Sequence, residues 1–124
     1  MKLRLEQYPE AIAQAAQAAN ELEHQIAEVK QQLANLEAQA DVVVAFDSEL
    51  KNDFQRKARR HQVLQANPAY EPTQERLLQL TTEKANALAY LEQLRNHFSV
   101  AKLETRLLIV QQLTGLESRE LVGL

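Results

Sequence analysis

The chain has 124 residues, no Cys and a formal net charge of −3, with 45% hydrophobic but only 5% aromatic residues. This balance excludes disulfide and thiolate chemistry, gives no global attraction to nucleic acid or anionic lipid, and fits a single domain. Ala, Leu, Gln and Glu dominate and Gly occurs only twice, the palette of long helices packed by Leu and Ala rather than of a sheet.

The first ten residues, MKLRLEQYPE, lack the apolar stretch of a secretory signal. No apolar run approaches the ~18 residues of a membrane span, so a cytoplasmic location is expected by exclusion. Leu3 and Leu5 alternate with Lys2 and Arg4, which reads as a loose extended arm over 1–8. Pro9 suits a first helical turn and biases Tyr8 away from helical geometry.

From Ile12 the apolar positions are Ile12, Ala15, Ala19, Leu22, Ile26, Val29, Leu33, Leu36, Ala40 and Val43. Their alternating steps of three and four make a heptad seam, the signature of a coiled coil, and predict a helix over about 9–45. The next seam positions, Asp47, Leu50, Phe54, Lys57, His61 and Leu64, are half polar, and Val42-Val43-Val44 is a β-branched run. Asn52 and Gln55 have the spacing of a capping box. A break within 45–52 and a short helix over about 53–66 are therefore predicted. Asn67-Pro68-Ala69-Tyr70-Glu71-Pro72 ends that helix, with a turn over 67–71 and Pro72 opening the next.

The last helix is predicted over about 72–114. Leu77, Leu80, Lys84, Ala87, Leu91, Leu94, Phe98 and Ala101 repeat the 3,4 spacing. Leu78, Leu88, Leu103, Leu107, Leu108 and Val110 widen the stripe, which suggests contact with more than one helix. Thr114-Gly115 reads as a helix stop, followed by an apolar tail over 115–124.

The charge is segregated. Residues 51–61 hold five basic side chains and one acid, a local +4, so the other 113 residues carry −7. Arg56, Arg59 and Arg60 share a helix face. With Lys51 and Lys57 they could clamp phosphates of DNA or RNA, meet an acidic partner helix, or lie solvated or salt-bridged. Tyr70 at the turn is a candidate contact, or a plug against Leu64 or Leu77. His24 and Glu28 share a helix face, but one His and one carboxylate fall short of a metal site and read as a charge-paired surface. No Gly-rich phosphate loop and no serine elbow is present. No catalysis, cofactor, metal or small-molecule substrate is expected.

Leu50-Lys51-Asn52-Asp53-Phe54-Gln55-Arg56-Lys57-Ala58, followed by Asn67-Pro68-Ala69-Tyr70, resembles small coiled-coil proteins of bacteria and phages. Those carry an LKN-x-x-QRKA stretch, a D/N-P-x-Y turn and a Leu-rich helix. The resemblance covers about residues 47–110, with Phe54 and Arg59-Arg60 as departures. It implies a mobile-element or nucleic-acid-processing setting and brings no activity with it.

The expected fold is all-α: one domain over 1–124, an elongated antiparallel helical hairpin or coiled coil with a partly helical connector over 46–71. Leu22, Ile26, Val29, Leu33 and Leu36 are expected to pack against Leu88, Leu91, Leu94, Phe98 and Leu103. The function expected is a non-catalytic coiled-coil scaffold or adaptor that mediates protein–protein interaction through self-association, its long helices forming the homo-oligomer and its 46–71 tip presenting basic and aromatic groups. The alternative is a nucleic-acid-binding accessory protein using residues 51–61.

Overall fold

A computed structural model describes residues 2–122, with side chains described through Leu116. A 3-10 turn over Leu5–Gln7 runs into α1 (Tyr8–Ala45), followed by α2 (Asp53–Ala66) and α3 (Tyr70–Val122). Among the described residues there is no strand. Contacts divide the chain into two units, one of Met1–Ala18 with Ala87–Leu124 and one of Ala19–Asn86.

In the first unit, Ala15, Leu91 and Leu94 form a buried cluster, flanked by Leu3, Ala11, Ile12 and Ala16. The small side chains of α1 let the backbones approach closely. Tyr8 is buried and stacks on Phe98 with ring centroids 5.5 Å apart. Lys102 Nζ lies 4.5 Å from the centre of the same Phe98 ring, a cation–π contact. Lys2 Nζ meets Glu104 Oε2 at 3.4 Å. Falling numbers on α1 thus meet rising numbers on α3, so the two helices run in opposite senses here.

The expected extended arm is replaced by the 3-10 turn, in which the Gln7 side chain accepts a hydrogen bond from the Arg4 backbone N–H at 2.8 Å. Residue 1 lies outside the described residues. Tyr8 is helical, with φ −64° and ψ −43°, despite preceding Pro9. Burial and stacking on Phe98 outweigh the local bias of a pre-proline residue.

In the second unit, Ile26, Val29 and Leu80 form the buried cluster, flanked by Leu22 and Leu77. Lys84 occupies a seam position and reaches Glu23 Oε1 at 3.6 Å, laying its aliphatic stem on apolar surface while the ammonium stays wet. α1 ends at Ala45, and the reversal is confined to 46–52, where Asp47 Oδ1 accepts from the Glu49 backbone N–H at 3.0 Å. Asn52 caps α2 by accepting from the Gln55 backbone N–H at 2.9 Å. Gln55 reaches back to the backbone N–H of Lys51, not that of Asn52, at 2.7 Å. A second turn of the same side-chain type follows, with Asn67 Oδ1 accepting from the Ala69 N–H at 2.9 Å. α3 starts at Tyr70, so Pro72 is its third residue; it still lies within the first turn, where its missing N–H costs nothing.

Three expectations are corrected. First, α2 is not part of a long tip. It returns along α1, since Arg60 bonds Asp41 at 2.7 Å and Arg59 approaches Asp47 at 3.9 Å. Second, the packing register differs: Ile26 and Val29 meet Leu80, while Leu91 and Leu94 meet Ala15. Leu88 and Leu103 are exposed and lie outside the buried stripe of α3. Leu33 and Leu36 are half-buried. Third, α3 runs through Thr114-Gly115 to Val122, so the stop expected there does not occur. Residues 123–124 of the expected tail lie outside the described residues.

Candidate interaction surfaces

The basic segment sits on α2, whose helical frame is set by the Asn52 cap and by burial of Leu64. Its three arginines are turned onto acids of the same chain. Arg56 Nη1 lies 3.1 Å from Asp53 Oδ1 and Arg59 Nε 3.9 Å from Asp47 Oδ2. Arg60 Nε donates to Asp41 Oδ1 at 2.7 Å, and its Nη2 lies 3.9 Å from Glu37 Oε2. The hydrogen bond to Asp41 raises the pKa of the Arg60 guanidinium, and the charges of Asp41 and Glu37 act in the same direction. Glu37, Asp41 and Asp47 bring three negative charges against the +4 of residues 51–61, which leaves +1. The side chains of Lys51 and Lys57 form no ion pair among the described residues.

Tyr70 is half-buried on the first turn of α3, and its hydroxyl accepts a hydrogen bond from Gln74 Nε2 at 2.9 Å. Two aromatic residues not named as contacts from the sequence are instead bare: Phe46 is 85% exposed and Phe54 81%. Phe46 opens the 46–52 reversal, and Phe54 follows it on the first turn of α2. The signal for them was the polar seam around Phe54, which leaves that ring with no apolar face to join.

A larger bare surface lies on α3. Val100, Leu103, Leu107, Leu108, Ile109, Val110, Leu113 and Leu116 are between 49% and 62% exposed. Upstream on the same helix, Leu91 and Leu94 are buried. The difference follows from what faces them: Ala15 covers Leu91 and Leu94, Lys2 reaches Glu104, and from Arg106 to Leu116 every side chain is exposed. The widened Leu stripe in the sequence was the sign of this surface, although its lower limit was missed.

His24 Nε2 lies 3.3 Å from Glu28 Oε1, both exposed. Among the described residues, no three His, Asp or Glu side chains are grouped to hold a metal ion, and no helix is long and apolar enough to cross a membrane. A groove of about 360 Å³ beside Tyr8 is lined by His97, Val100 and Ala101, with Lys2 and Glu104 at its rim. Those two charges are paired with each other and offer no set of polar groups converging on a ligand. No known protein family, no curated protein and no solved structure matches the chain.

Proposed function

We propose that this chain is a cytoplasmic, non-catalytic coiled-coil scaffold or adaptor that works through self-association. The observation that carries the proposal is the run of eight half-exposed aliphatic side chains on α3, more contiguous apolar surface than a chain acting alone ordinarily keeps in water. The heptad seams support the coiled-coil part. On α1 the seam positions from Ile12 to Ala40 are buried or half-buried, and on α3 those from Leu77 to Ala101 are too.

Sedimentation equilibrium over a range of concentrations tests the proposal. The expected result is a mass above one chain at tens of micromolar, with Leu33→Asp reducing both helicity and assembly because it places a carboxylate on the seam. A single-chain mass at every concentration would sink it.

A further inference from the structure

We infer that α3 from Val100 to Leu116 is the self-association element, and that its partner is the same segment of other copies of this chain. The inference rests on the scaffold reading and locates its interface.

The first argument is area. Taking about 1.45 Å² per dalton for an extended residue, the fractional exposures of the eight aliphatic residues amount to roughly 700 Å². A stable protein interface buries about 800 Å² on each partner. The segment alone comes close to that.

The second argument is charge. From Leu107 to Leu116 the sequence LLIVQQLTGL contains no ionisable side chain. A charged partner helix laid along it would bury charges with nothing opposite, at a cost that apolar contact does not recover. Over Leu107 to Leu116 a second copy brings the same uncharged surface and strands no charge, while upstream Lys102 lies over Phe98 and Arg106 stays exposed at the margin of the segment. Just upstream, Glu104 is already engaged by Lys2.

The third argument is the arrangement of the side chains. Val100, Leu103, Leu107 and Val110 follow steps of three, four and three and form one stripe. Ile109, Leu113 and Leu116 follow steps of four and three and form another. The second stripe continues the face that carries Leu94, Phe98 and Ala101 upstream, while the first lies on the other side of the helix. A helix apolar on opposite sides belongs inside a bundle, so each copy's segment is covered by more than one neighbouring helix of the assembly.

The test uses the purified full-length chain, so that the only partner present is itself. Wild type and Leu103→Glu/Leu107→Glu/Val110→Glu are compared by sedimentation, with circular dichroism at 222 nm as the control for folding. The expected result is that wild type assembles while the variant sediments as one chain with its helicity kept. If the charged variant loses helicity, Leu103→Ala/Leu107→Ala/Val110→Ala is read in its place and should weaken assembly by about tenfold or more. A variant that assembles as tightly as wild type overturns the assignment and leaves self-association standing. A wild-type chain that stays monomeric overturns both.

Discussion

Leu88 and Leu91 are one turn apart on α3, both Leu, and both expected from the sequence to pack against α1. Only Leu91 is buried; Leu88 is 46% exposed. Leu91→Ala removes roughly three methylene groups at about 0.8 kcal/mol each and leaves a cavity beside Ala15 and Leu94 that the neighbours only partly fill. The expected loss is about 3 kcal/mol. Leu88→Ala forfeits about half that burial and makes no cavity, and the better helix propensity of Ala returns a few tenths. Its expected loss is about 0.5–1 kcal/mol. In urea unfolding followed by circular dichroism, a slope near 1.5 kcal/mol per molar converts these into midpoint drops of about 2 M and about 0.5 M. Equal drops would show that the stripe of α3 facing α1 has been assigned wrongly.

Arg56→Ala/Arg59→Ala/Arg60→Ala should cost only about 1–2 kcal/mol, since exposed ion pairs contribute about 0.2–1 kcal/mol each before salt screening. Because Asp41 raises the pKa of Arg60, the charged form and its contribution are fully present below the ordinary arginine value, so the deficit should be the same at about pH 6 and about pH 9. The same variant and wild type should both fail to retard DNA or RNA near ~50 mM salt. Retardation that falls steeply with salt and vanishes in the variant would mean the arginines leave their acids for phosphates. Gly115→Ala should stabilise the chain by about 0.5–1 kcal/mol, because the helix continues through Gly115 and nothing lies within 4 Å of the added carbon. A lower melting temperature would show that Gly115 ends the helix after all.

The two seams were readable because a heptad states which residues of one helix share a face. The break at 46–52 was readable for the same reason: Asp47, Lys57 and His61 spoil the stripe, and Asn52 offers a cap. The pairing of the stripes was not readable. Either seam can slide by a heptad and still present an apolar edge, so the register depends on where the chain reverses. Placing the reversal anywhere in 46–71 left it undetermined, and the seven residues 46–52 determine it. The fate of the arginines was hidden by the same gap. Spacing put Arg56, Arg59 and Arg60 on one face of α2, but Asp41 and Glu37 come into range only once α2 lies along α1. At Thr114-Gly115 the reading rested on a left-handed residue after the helix; among the described glycines none has a positive φ, and a glycine without that conformation does not end a helix.

The exposed apolar surface of α3 lies within the first unit. α3 has 53 residues and α1 has 38. The last turns of α1, from Glu37 to Asp41, are already occupied by α2 through Arg60. In the first unit Lys2 meets Glu104, and beyond that pair Arg106 to Leu116 are exposed. If the residues from 100 to 116 served only as a solvated surface, they should be polar, because neither buried cluster among the described residues takes in their aliphatic side chains. They are instead Leu, Ile and Val in eight of the seventeen positions from 100 to 116. An apolar composition beyond the buried clusters of the described residues is what an interface requires, and substitution there should disturb assembly while sparing the clusters around Leu91 and Leu80.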